Sequence, residues 1–183
     1  MKKKIVIAIV AAVLVLALIV TGVVVLLKSG FNNDKGTESN NSSTGSTASS
    51  LEPIGESEII VGSVEGKVGE RVKVPVEIKG NPGFMAALLK FKYDTGSLKY
   101  VSYHKGDFLT DYEVYDVNGT LSFITAENQD VKDNGVVVYF EFEILKDAKT
   151  SDIEVIKDDD TMLCNYNEQV ISIKGTNGKI TVK

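Results

Sequence analysis

The residues able to act on bonds or ions are few and scattered. His104 is the single histidine of the chain and Cys164 its single cysteine. A hydrolytic triad needs an imidazole beside a Ser or Cys nucleophile and an orienting acid. Nothing in the sequence gathers such a set around His104, which reads as a surface turn residue. Cys164 follows Met162 and Leu163 and reads as a small buried apolar residue; one cysteine permits neither an intramolecular disulfide nor a Cys-based metal cluster. Asp158-Asp159-Asp160 offers hard oxygens of the kind calcium takes, but without the alternating spacing and glycine of a dedicated loop. It reads as a solvated hairpin tip. Glu127, Asp130 and Asp133 suggest the paired carboxylates of glycoside cleavage, yet they share one polar stretch, and the chain has no Trp to stack on a sugar. Asn118-Gly119-Thr120 fits a glycosylation sequon and equally well a hairpin turn. The expectation is a protein that is not an enzyme and carries no metal or cofactor.

Composition divides the chain. Lys2, Lys3 and Lys4 precede an apolar run from Ile5 to Leu27, closed by Lys28. In a helix this run spans about 34 Å, enough to cross a hydrocarbon core with some tilt. The lysines favour a cytoplasmic N-terminus and place the chain beyond Lys28 outside. A cleaved signal peptide has a shorter apolar core ending in small residues; here the end, Val23 to Leu27, is bulky. Residues 1–28 are therefore expected to be an uncleaved transmembrane anchor at the cell membrane. Residues 29–57 are rich in Ser, Thr, Asn and Gly and cannot bury enough surface to offset their ordering entropy, so a flexible linker is expected. Residues 57–183 hold 15 Lys and Arg against 21 Asp and Glu. That mild acidity argues against nucleic acid, which demands clustered cations.

The part from 58 to 183 alternates with period 2, and no helical periodicity persists beyond a turn or two. Strands are expected near 58–64, 71–79, 84–93, 98–104, 113–117, 120–126, 136–145, 153–157, 161–165, 168–174 and 179–182. Val72, Val74, Val76 and Ile78 share one face. Pro75, on the other, cannot donate a ladder hydrogen bond, so its strand is expected at an edge or with a bulge. Asn118-Gly119 is the strongest hairpin signal, and residues 127–134 read as a polar loop. Some nine strands without a helix predict an all-β, antiparallel two-sheet sandwich.

Four stretches resemble the cohesin domain, the receptor module for dockerins in cellulosome-type assemblies. They are VGSVEGKVGERVKVPVEI (61–78), LLKFKYDTGSLKYVSYHKGDFL (88–109), GTLSFITAENQ (119–129) and GVVVYFEFEIL (135–145). The resemblance implies a nine-stranded jelly roll whose dockerin surface is one sheet face, built from the strands at 84–93, 112–126 and 135–145. Carried over by position, Ala86, Leu88, Lys90, Tyr115, Ile124 and Glu127 become the partner-binding residues. Many cohesins have Asn and Asp where this chain has Ala86 and Leu88, which implies a more apolar interface. Calcium belongs to the dockerin in this family, so none is implied here.

Strand parity points to the same surface. Leu88 and Ile124 fall on the face opposite Leu89 and Phe123, and two aliphatic side chains beside Tyr115 could anchor a partner. The expected function is a membrane-tethered, extracellular module that docks dockerin-bearing proteins. The alternative is a carbohydrate-binding sandwich with Tyr100, Tyr103, Tyr112 and Tyr115 as its aromatic platform.

Overall fold

The computed structural model describes residues 52–145 and 150–183. The anchor expected over residues 5–27, and the linker up to residue 51, lie outside the described residues. Every described element is a strand.

The first sheet contains β1 (Glu56–Val61), β3 (Arg71–Lys79), β8 (Gly135–Ile144) and β5 (Leu98–Lys105), in the order β1-β3-β8-β5. The second is centred on β4 (Phe84–Tyr93). On one side of β4 lies β7 (Thr120–Val131), with β6 (Tyr112–Val117) beyond it. Along its other side β9 (Thr150–Ile156) and β10 (Met162–Cys164) lie end to end; β9 in turn pairs with β12 (Gly178–Val182), and β12 with β2 (Val64–Gly66). β11 (Val170–Thr176) belongs to both sheets, since its first residues pair with β10 and the remainder with β1. Strands that switch sheets in this way make the corners of a sandwich.

Alternation decides which side chains enter. Val74, Val76 and Ile78 of β3, Leu89 and Phe91 of β4, Leu121 and Phe123 of β7, and Phe140 and Phe142 of β8 are all buried. The sheets meet through edge-on aromatic pairs. Phe91 and Phe140 lie with ring centroids 5.2 Å apart, and Tyr93 and Phe142 5.1 Å apart. Such T-shaped contacts add about 0.5–1.5 kcal/mol beyond area burial. Among the described residues, all core side chains lie between residues 59 and 180.

Among the described residues there are twelve strands; eleven correspond to an expected stretch, 161–165 (β10) among them, and the twelfth, β2, is too brief to register as alternation. Two pairs, β1–β11 and β2–β12, are parallel in an otherwise antiparallel sandwich. The stretch 127–134, expected to be a loop, continues β7 as far as Val131; its polarity marks exposure at the sheet end. His104, expected in a turn, is inside β5. Its Nε2 lies 2.8 Å from Glu141 Oε2, which also accepts from Ser102 Oγ at 2.8 Å. The His104 bond, seconded by Ser102, holds the Glu141 carboxyl below its usual range.

Pro75 lies in an interior strand, and the bulge expected with it falls between Val76 and Glu77. Gly62 N–H donates to Pro75 O at 2.8 Å, but the proline has no N–H to return, so the β1–β3 ladder ends there. A side chain at position 62 would collide with the Pro75 ring. The Asn118-Gly119 hairpin forms as expected. Both residues have positive φ, 52° and 82°, as a type I′ turn demands.

Candidate protein-docking face

The outer face of the second sheet carries five of the six residues singled out in the sequence. Ala86, Leu88 and Lys90 alternate along β4 with the buried Ala87, Leu89 and Phe91. Cross-strand register then sets the rows. Leu88 is directly opposite Ile124 of β7, and Ile124 is opposite Glu113 of β6. One row along, Lys90 is opposite Ser122, and Ser122 opposite Tyr115. Directly opposite side chains sit about 4.5–5.5 Å apart at Cβ, so Leu88 and Ile124 form one aliphatic patch. Both are half-buried by their neighbours, while Tyr115, at 53% exposure, stands clear at the rim.

Glu127 is the exception. It carries the parity of Thr125, a buried residue, and its Oε1 lies 3.2 Å from Thr125 Oγ1. It therefore turns away from the Leu88 face. The strand at 135–145, expected to contribute to this surface, is β8 of the other sheet. The place beside β4 is taken by β9 and β10. This pairing joins segments some seventy residues apart in sequence, a register that no local pattern encodes.

That correction brings in residues the sequence reading missed. Met162 of β10, 39% exposed, is directly opposite Leu88 on the side away from Ile124. Ile124, Leu88 and Met162 thus form a continuous aliphatic row across three strands. Val170 (41% exposed) and Val117 (63%) add apolar surface toward its margins.

Lys90 is not a free cation on this face. Its Nζ donates to Asp160 Oδ2 at 2.7 Å and to Asp158 Oδ2 at 3.0 Å, leaving the side chain 17% exposed. Burial alone would lower the lysine's pKa; the two carboxylates outweigh it and raise the value. Asp158 answers in the opposite direction. Its burial raises the carboxyl, but the bonds from Lys90 and Thr161 bring it below its usual range. Asp158 Oδ1 also accepts from Asp160 N, Thr161 N and Thr161 Oγ1. The acidic run is therefore exposed, as expected, and in addition a structured turn latched to the sheet.

The tyrosines do not form a sugar platform. Tyr112 is 7% exposed and stacks on Phe123 at 4.9 Å and on Tyr103 at 5.5 Å. Tyr100 packs edge-on against Phe140 and Phe142. Three of the four rings thus belong to the interior. Cys164 is buried, and burial raises its thiol. Among the described residues no group of three or more His, Cys, Asp or Glu side chains could hold a metal ion.

The family profile described as "Cohesin domain" matches residues 57–182. The chain belongs to the cohesin family. Solved cohesins share its fold at low identity. A type I cohesin–dockerin complex from Clostridium thermocellum superposes with TM-score 0.62 at 21% identity, covering 70% of this chain and 99% of that one. A second such complex from the same organism gives TM-score 0.66 at 19% identity, covering 72% and 96%. A non-cellulosomal cohesin from the hyperthermophilic archaeon Archaeoglobus fulgidus gives 0.63 at 15%, covering 70% and 91%. Among curated proteins no significant sequence match is found.

Proposed function

We propose that this cohesin is a non-catalytic docking module that captures a dockerin-bearing protein on the outer face of its second sheet. The observation that carries this reading is the aliphatic row Ile124–Leu88–Met162, which faces outward and is flanked by the exposed Tyr115. Interfaces draw most of their affinity from a few apolar anchors that lose water, within a polar surround. The face has that composition, with Glu113, Ser122 and the latched acidic turn around the row. Related structures include cohesin–dockerin complexes, which favours a dockerin over another protein.

The apolar run at 5–27 supports the further reading that the module is tethered to a membrane and displayed outside the cell. The test is a pull-down of dockerin-bearing proteins by residues 52–183, with and without a chelator, alongside protease accessibility of the full chain on intact cells. Capture that disappears with Leu88→Asp supports the docking reading. Absence of capture under every calcium condition rejects it.

A further inference from the structure

Asparagine is a thermolabile residue, and most of all before glycine, which has no Cβ to hinder attack by its own amide nitrogen on the preceding side chain. The chain has three such pairs, Asn118-Gly119, Asn134-Gly135 and Asn177-Gly178. All three asparagines are exposed, so access to water does not distinguish them. Their carboxamides do. Asn134 Oδ1 accepts from Asn81 N at 3.1 Å, and its Nδ2 donates to Lys132 O at 3.4 Å. Asn177 Oδ1 accepts from Val155 N at 2.9 Å, and the buried Gly178 after it lies too close to Gly62 O for a Cβ to fit. Neither the Asn118 carboxamide nor Gly119 N–H bonds to any group among the described residues. These two residues are the centre of the β6–β7 turn, outside the ladder. The tip is held at Gly119 O, which accepts from Tyr93 N at 2.9 Å, and not at the Gly119 nitrogen.

We propose that Asn118 is a self-modification site, converting to aspartate and isoaspartate with water as the only co-reactant. Gly119 N gives up its proton to solvent hydroxide and bonds to Asn118 Cγ. The Cγ–Nδ2 bond breaks, and the nitrogen leaves as ammonia after taking a proton from water. The product is a cyclic succinimide. Water then adds to one of the two ring carbonyls and opens it. Attack at Cγ breaks the new bond and leaves aspartate; attack at the backbone carbonyl leaves isoaspartate, with the chain running on through Cβ and Cγ. Either product places a new carboxylate at a cleft lined by Lys92, Asp94, Asp152 and Glu154. Isoaspartate also adds a backbone atom to a turn whose length fixes the pairing of Val117 with Thr120.

The experiment incubates the full chain in detergent micelles at mildly alkaline pH, with and without urea, and then cleaves after lysine. The three pairs fall on separate peptides, 106–132, 133–146 and 175–179. Mass spectrometry reads the gain of an amide-to-acid change and places it by fragmentation, and isoaspartyl methyltransferase labels the isoaspartate. In the folded chain Asn118 should convert about tenfold faster than Asn134 or Asn177, the factor that a hydrogen bond near 1.4 kcal/mol imposes when it must break first. In urea the three should convert at similar rates, because the folded contacts are gone. Asn118→Gln should remove the early conversion and leave the other two peptides unchanged. Equal rates for the three in the folded chain, or earlier conversion of Asn134 or Asn177, overturns the proposal. So does an Asn118 that stays intact in the folded chain while the urea sample converts.

Discussion

Met162 faces Leu88 across the β4–β10 ladder, and Ile124 faces Leu88 from the opposite strand. Leu88 is therefore the centre of the row, and under the proposed docking it is the position where a partner would exclude water most fully. Leu88→Asp or Ile124→Asp should weaken dockerin binding by about thirtyfold or more, the scale of a hot spot near 2 kcal/mol. Met162→Ala should cost about tenfold or less. Calorimetric titration gives the affinities. The side chains lie outside the core, so each variant should keep its sheet spectrum and melt within about 5 °C of the parent.

The latch on the acidic turn has two parts that substitutions can separate. Asp158→Ala removes the acceptor of the Asp160 and Thr161 amides as well as one ligand of Lys90. Lys90→Met removes only the cation. Amide hydrogen exchange at Asp160 and Thr161 should accelerate strongly in the first variant and modestly in the second. Global stability should move by less than about 1 kcal/mol in Lys90→Met, as exposed ion pairs allow. Equal acceleration in both would mean that the ammonium, not the carboxylate, organises the turn.

Alkaline titration reports on the core. Burial, and next the hydrogen bond to Asp116 at 2.8 Å, push the Tyr93 phenol up to about 12. The folded state thus holds a proton that the unfolded chain gives up near its ordinary value of 10. This contribution is complete below pH 10 and is lost as pH rises from 10 toward 12. Tyr93→Phe should flatten the fall of stability across that window, measured by urea unfolding. Tyr100 is raised in the same direction and keeps part of the slope. On the acid side the signs reverse. Glu141 and Asp158 are lowered, so their contribution is present above the usual carboxylate range and lost as pH falls through their folded values.

Ser57 occupies an inward position of β1 with 0% exposure, and its hydroxyl has no hydrogen-bond partner among the described residues. An unsatisfied buried hydroxyl costs about 1–3 kcal/mol. Ser57→Ala should therefore raise the urea midpoint at constant slope, by a stability gain of about 1 kcal/mol. A loss of stability would reveal a partner for this oxygen.

Much of the architecture is legible in the sequence because period-2 alternation reports burial directly. The strands at 71–79 and 84–93 have the bounds expected from their patterns, and parity alone puts Leu88 and Ile124 on the outer face. What local pattern cannot carry is long-range register. β8 alternates as clearly as β4, so nothing within 135–145 says which sheet it joins. β10 is legible as a strand near 161–165, but its three residues do not say that it pairs with β4, and the role of Met162 is hidden with that pairing. The latch at Lys90 depends on the same pairing, which is why its contacts with the exposed Asp158 and Asp160 are not legible. Glu127 departs from expectation for a different reason: its strand runs on beyond Ala126, and alternation carries it to the opposite side.

The parallel pairing of β1 with β11 has a mechanical consequence. Five residue pairs join β1 to β11 and four join it to β3. A pull transmitted along the axis of β1 loads these bonds together in shear, so they must rupture collectively instead of unzipping one by one. Tension applied at the N-terminal side thus meets a clamp at the first strand, and because β11 continues into the pairing with β10, the strain is shared with the sheet that holds Leu88.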